Sequence, residues 1–247
     1  MAAKNLPVTP SGAVMAAVAA LEPAALLESF DRLGYAVTEP LLAAEECADI
    51  AALYESETTV FRSTVNMVRH GFGRGEYKYF GYPLPPIVAA LRQGLYERLA
   101  PVANAWSERL GQPADWPAKH DELARRCAAA GQPRPTPLLL RYGAGDFNCL
   151  HRDLYGAIHF PLQAIVLLDQ PGVDFEGGEL VLTEQRPRRQ STPLVVPFRQ
   201  GAIAVIPVKE RPVASARGFA RIQVRHGVAA LHRGLRRTLG LIFHDAA

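Results

Sequence analysis

Two prolines around one arginine, Pro133-Arg134-Pro135, divide the chain into halves that follow different hydrophobic periods. Beyond them, short β-like runs succeed one another, each closed by Gly or Pro. They are Leu138–Tyr142, Leu162–Asp169, Glu179–Leu182, Leu194–Phe198, Ala202–Pro207, Ala220–His226 and Thr238–His244. Seven strands in about 110 residues have to pair with one another, so this half is expected to be a β-sandwich or barrel. Ahead of the break the apolar spacing is helical. Pro86–Leu110 carries Ile87, Leu91, Leu95, Leu99 and Val102 along one stripe, and His120–Ala130 is closed by Gly131. Ala43–Glu55 places Glu45 and Glu46 in a helical first turn, where the dipole favours them. Pro23 opens a helix to about Asp31. Leu33–Thr38 and Val60–Val68 read as extended, residues 1–12 as a flexible tail, and Ala13–Leu21 as a first helix rather than a signal peptide.

At 247 residues the chain is long enough for one sizeable domain. With 49% hydrophobic and 21% charged residues it is neither disordered, collagen-like nor a coiled coil. No run of about eighteen apolar residues is present, so no membrane span is expected. Cys47, Cys127 and Cys149 are scattered and odd in number, which suits a reducing, cytoplasmic setting. The net charge of +3 hides a division. Residues 181–247 hold twelve Lys+Arg against three Asp+Glu, and the rest hold fifteen against twenty-one. Such a tail suits an anionic partner, or else a solvated face with one arginine serving a carboxylate.

Three polar residues in the β-rich half carry chemistry. His151 and Asp153 are two apart, so on an extended strand both point to one face. In Ala220–His226, His226 shares its face with Ile222 and Val224, so it points inward. Two imidazoles and one carboxylate form a facial set that leaves three open positions on an octahedral metal and favours non-haem Fe(II). The trio leaves a ferrous ion one net positive charge, which suits an anionic oxo acid such as 2-oxoglutarate. The far carboxylate of that acid needs a buried cation. Arg236 lies ten residues after His226, and Thr238 faces the same way on the following strand. Arg237 faces the other way, so its loss is expected to affect 2-oxoglutarate binding only mildly. His151-Arg152-Asp153-Leu154 also imitates a kinase catalytic loop, but Ile158 stands where that loop needs its metal-binding Asn.

The sequence resembles the 2-oxoglutarate/Fe(II)-dependent dioxygenases. Within them it is most similar to the bacterial nucleic-acid oxygenase family, which acts in oxidative demethylation of damaged DNA. The stretches that carry the resemblance are HGFGRGEYKYF (70–80), RPTPLLLRYG (134–143), HRDLYG (151–156), GGELVLTEQRPRRQS (177–191) and FHDA (243–246). It implies an α+β, mainly β fold: a double-stranded β-helix (jelly roll) core with N-terminal helices on its outer face. The implied organisation is a tail and first-helix start over residues 1–20 and one dioxygenase domain over 21–247. That domain would comprise helical support over 21–134 and a catalytic jelly roll over 135–247. By analogy His151, Asp153 and His226 are iron ligands, Arg236 anchors the cosubstrate, and Tyr142 assists it. Asn148 stands where prolyl hydroxylases often place a cosubstrate-binding Tyr, and it can still donate a hydrogen bond.

Substrate choice is less marked. Residues 69–80 interleave Arg69, Arg74 and Lys78 with Phe72, Tyr77, Tyr79 and Phe80, and Arg186, Arg188 and Arg189 form a basic loop. Cations that track phosphates beside aromatics that stack on bases would suit single-stranded or damaged nucleic acid. A protein hydroxylase acting on an acidic peptide would use the same residues. A non-catalytic module that binds metal and 2-oxoglutarate is the third reading.

Overall fold

The computed structural model of the chain describes residues 8–55 and 60–247. The tail expected over residues 1–12 lies outside the described residues as far as Pro7; Val8 packs against the core, and its carbonyl accepts from the Ile87 amide at 2.9 Å. Five helices follow one another: α1 (Gly12–Ala19), α2 (Pro23–Leu33), α3 (Ala44–Ala52), α4 (Pro86–Arg109) and α5 (His120–Ala129). Proline opens α2 and α4, where its missing N–H costs nothing. Gly34 closes α2 in the left-handed conformation, φ 86°. No single helix among the described residues is long and apolar enough to cross a membrane.

The strands are β1 (Ala36–Val37), β2 (Phe61–Asn66), β3 (Gly73–Arg74), β4 (Glu76–Phe80), β5 (Leu138–Gly143), β6 (Phe147–His151) and β7 (Leu162–Leu167), then β8 (Phe175–Gly177), β9 (Leu180–Gln185), β10 (Thr192–Val196), β11 (Ile203–Pro207), β12 (Glu210–Ser215), β13 (Gly218–Val228) and β14 (Leu231–Ile242). One antiparallel sheet runs β1-β11-β7-β14-β5-β4-β2, with β8 pairing the start of β14. The other runs β10-β9-β13-β6-β3, with β12 pairing β13.

Period-2 alternation in the larger sheet decides what goes where. Leu139, Leu162, Ala164, Val166, Leu239 and Leu241 point to one face and share a core with the apolar faces of the five helices. On the opposite face Ala204 and Ile206 pack against Leu180, Leu182 and Val224 of the smaller sheet. Tyr142, Gln163, Arg236 and Thr238 lie on that same inner face and border a cavity. The sheet thus has a helix-backed side and a side that carries polar groups.

The last residues are clamped from α4. Arg92, 1% exposed, donates to the carbonyls of Ile242 and Phe243, to the hydroxyls of Tyr82 and Thr136, and to Asp245 at 2.7 Å. This explains the terminal FHDA stretch as structure. Two buried histidines belong to the clamp. His120 Nε2 donates to the Phe243 carbonyl at 2.9 Å, and His244 Nδ1 accepts from the Phe160 amide at 3.1 Å. Burial, then the Arg92 charge, pulls His120 down to about 3; burial, then His159, does the same to His244. Both are neutral in the fold, while the unfolded chain protonates them near pH 6.5. Their contribution is therefore complete above that pH and is lost as pH falls toward about 3. Each adds a slope of about 1.4 kcal/mol per pH unit within the window. Urea melts between pH 4 and 7 should show this loss, and His120→Gln should remove part of the slope. An unchanged slope would mean that His120 is not buried neutral.

Candidate active site

Between the sheets lies a cavity of about 350 Å³. His151 closes β6, Asp153 sits in the loop just beyond, and His226 projects from β13, directly opposite His151 in register. The donor atoms of the three lie within 4.8 Å of one another. His226 Nε2 is 3.2 Å from Asp153 Oδ2, and His151 Nε2 is 3.5 Å from Oδ1. The tautomer of His151 follows from its other nitrogen: Nδ1 is 2.8 Å from the Cys149 carbonyl, which can only accept. Nδ1 therefore carries a proton, and Nε2 is the nitrogen that faces Asp153. Nδ1 of His226 is buried without a partner.

The electrostatics of the trio are coupled. Burial alone would raise the Asp153 carboxyl, but hydrogen bonds and charge from His151 and His226 hold it well below the usual carboxylate range. Burial works against a charged His151, yet Asp153 outweighs it and raises the imidazole. Burial lowers His226, with His151 adding to the effect. The trio thus sets an ionised carboxylate beside an imidazole made more basic by it.

Deeper in the cavity stands Arg236, 2% exposed, with Thr238 beside it on β14. Burial lowers the guanidinium, and Tyr142, Asp169 and Glu179 oppose that from a distance. Its Nη1 is buried without a hydrogen-bond partner. The rings of Tyr142 and Phe175 flank it at 5.7 and 5.9 Å. Asn148 donates to the Tyr142 hydroxyl at 3.3 Å, and both line the cavity. The Gly177-Gly178 turn is part of this subsite. Gly178 has φ 67°, and a Cβ there would meet Leu231 at 2.1 Å and Arg236 Cδ at 3.0 Å. Gly178→Ala should therefore displace Arg236 and weaken binding of a dicarboxylate at least tenfold; calorimetry with 2-oxoglutarate checks it, and wild-type affinity would free Arg236 from that turn.

The residues expected to meet substrate are divided. Tyr77 and Tyr79 line the cavity as an edge-to-face pair, centroids 5.3 Å apart. Lys78 does not: alternation along β4 turns it to the helix-backed face, where it donates to the Tyr54 carbonyl at 2.7 Å and sits over the Tyr54 ring. Arg74 is exposed, 3.9 Å from Asp146. Arg186, Arg188 and Arg189 are exposed at the tip between β9 and β10, and none lines the cavity. Only part of the C-terminal positive charge is held in ion pairs: Arg211–Glu184, Arg221–Glu210, Arg233–Glu176 and Arg237–Asp169. The last pair gives Arg237 a structural task on the outer face, because Asp169 is only 3% exposed and is held by it.

Two cavity residues were not anticipated. Gln163 places its Nε2 3.1 Å from His226 Nε2; the signal was a lone amide in the apolar run Leu162–Leu168. Tyr155 donates to Asp153 Oδ1 at 2.7 Å, and its signal was an aromatic two residues after the aspartate.

Comparison with known proteins agrees with this arrangement. Two Mycobacterium tuberculosis proteins named only as uncharacterized, MT2286 of strain CDC 1551 and Rv2227 of strain H37Rv, are each 45% identical over 168 residues, covering 68% of this chain and 72% of theirs. A Burkholderia pseudomallei oxidoreductase of the 2OG-Fe(II) oxygenase family shares the fold at a TM-score of 0.52 and 15% identity, over 92% of this chain and 94% of that one. The Oxygenase-NA profile, described as "Oxygenase, catalysing oxidative methylation of damaged DNA", matches residues 75–246. That match takes in the three clustered donors, the buried arginine and the clamped C-terminus, and this chain belongs to the Oxygenase-NA family.

Proposed function

We propose that this oxygenase is an Fe(II)- and 2-oxoglutarate-dependent dioxygenase built on a double-stranded β-helix, and that it demethylates alkylated nucleic acid oxidatively. The observation that carries the reading is Arg236: a buried guanidinium with an unpartnered nitrogen, in the same cavity as His151, Asp153 and His226. A buried cation without its anion is costly, and a ligand carboxylate would relieve that cost. The donor set fits iron as well: two imidazoles and one carboxylate whose donor atoms lie within 4.8 Å of one another.

Loaded with iron and 2-oxoglutarate, the site would consume dioxygen and release succinate and CO2 as a substrate carbon is hydroxylated. His151, Asp153 and His226 would hold the metal on one side. Arg236 and Thr238 would bind the far carboxylate by charge-assisted hydrogen bonds, with Asn148 and Tyr142 beside them. Leu138, Leu140 and Ile242 give the cavity an apolar wall. Tyr77 and Tyr79 offer faces and edges to a flat group such as a flipped base. The family's description names damaged DNA, which supports that substrate.

A peptide is the second reading, favoured by an apolar rim. Phe72 and Leu150 border the cavity at 47% and 45% exposure, while Lys78 and the arginine tip stand away from it. Turnover with Fe(II) and 2-oxoglutarate against alkylated single-stranded DNA, RNA and a peptide library decides between them. Succinate with formaldehyde from alkylated strands is expected. Succinate with a peptide gaining one oxygen atom would make it a protein hydroxylase. No turnover together with no 2-oxoglutarate binding would reject 2-oxoglutarate as the cosubstrate and Arg236 as its anchor.

A further inference from the structure

We infer that Tyr155 is a positioning residue that makes Asp153 a one-oxygen metal ligand; this rests on the reading of His151, Asp153 and His226 as a metal site. The backbone does not fix Asp153, because β6 ends at His151 and the carboxylate hangs from the loop that follows. Left alone, it could offer either oxygen or both. Tyr155 removes that freedom by donating to Oδ1 at 2.7 Å.

The direction of this bond is forced. An ionised carboxylate has no proton to give, so the Tyr155 hydroxyl donates and its oxygen is left to accept. It accepts from Tyr79, 3.0 Å away. Tyr79 belongs to β4, and the Arg62 guanidinium covers its ring at 4.5 Å while donating from Nε to the Pro135 carbonyl. The chain Tyr79–Tyr155–Asp153 therefore ties the ligand loop to the larger sheet. Oδ2, 3.2 Å from His226 Nε2, would be the oxygen left free for a metal, while Oδ1, engaged by Tyr155, lies 3.5 Å from His151 Nε2. The count of positions gives this a purpose. Three single-atom ligands would leave three positions on an octahedral ion, room for an oxo acid and dioxygen. A carboxylate binding through both oxygens would take one of them.

The test uses the metal-free full chain and Mn(II), without cosubstrate. Tyr155→Phe should weaken Mn(II) binding about 10–100-fold, the usual effect of removing an outer partner of a ligand. Tyr79→Phe should weaken it less, since Tyr155 keeps its donor. In an Asp153→Ala background, Tyr155→Phe should cause no further loss. With Co(II) as the probe, the visible bands of Tyr155→Phe should shift as the carboxylate turns. Wild-type Mn(II) affinity in Tyr155→Phe would overturn the inference, as would an equal loss in the Asp153→Ala background. A lower melting point with unchanged affinity would assign Tyr155 to stability alone and overturn it too. Should Tyr155→Phe fail to fold, unchanged affinity in Tyr79→Phe would be the overturning result and a weakened one the supporting result. If Asp153→Ala itself binds Mn(II) like wild type, the metal-site reading falls, and the inference with it.

Discussion

Asp153→Ala should bring succinate production to background while the protein still folds. Its carboxylate supplies the only negative charge of the trio, so the variant offers a divalent ion two neutral imidazoles and no compensation. The loss in metal affinity should exceed the factor of about 10–100 that an outer partner is worth. Folding should survive for a physical reason. Burial of Asp153 is itself unfavourable and is offset by the two histidines and the Tyr155 hydroxyl, so its removal relieves a desolvation cost while it breaks those contacts. His151→Ala and His226→Ala should abolish turnover as well. The proton on the trio adds a pH signature. Asp153 raises the His151 imidazole, and metal binding must displace that proton, so affinity should fall as pH drops through the raised value. Mn(II) titrations at several pH values, with succinate assays under added Fe(II), read both effects. A variant that keeps near-wild-type succinate does not lack a ligand, and that residue would leave the site.

The parts of the site legible in the sequence are those set by strand alternation. His226 faced inward because Ile222 and Val224 did, and Arg236 and Thr238 shared a face because they are two apart. The same rule, applied to β4, would have separated Lys78 from Tyr77 and Tyr79. Treating residues 69–80 as one basic, aromatic surface overlooked that alternation. Other features depend on distant partners. The cation of Lys78 is taken up by Tyr54, 24 positions earlier, and Arg237 is fixed by Asp169, 68 positions earlier. β6 and β12 are not legible in the sequence because their apolar signal is weak. The first is mostly half-buried or exposed; the second contains Pro212 and pairs only with β13.

Arg236→Ala and Arg237→Ala should fail in opposite ways. Arg236 lies on the inner face with an unpartnered Nη1, so its removal takes away a binding group and also a buried, uncompensated charge. Affinity for 2-oxoglutarate should fall by about 2–5 kcal/mol, some tens- to thousands-fold. Mn(II) binding without cosubstrate should hold, and the melting temperature should stay level or rise. The stabilisation that saturating 2-oxoglutarate gives the wild type should disappear. Arg237 lies on the outer face, where Nη2 reaches Asp169 Oδ1 at 2.6 Å and the backbone amide reaches Oδ2 at 2.5 Å. Removing its side chain leaves a carboxylate that is 3% exposed without its cation, held by the backbone amide alone, and breaking such a pair costs about 3–5 kcal/mol of stability. The folded fraction of Arg237→Ala should still bind 2-oxoglutarate with ordinary affinity. Calorimetry and melting curves on the two variants, with and without cosubstrate, separate the roles. If Arg237→Ala loses cosubstrate while Arg236→Ala loses stability, the inner and outer faces of β14 have been exchanged, and the carboxylate subsite has to be sought elsewhere in the cavity.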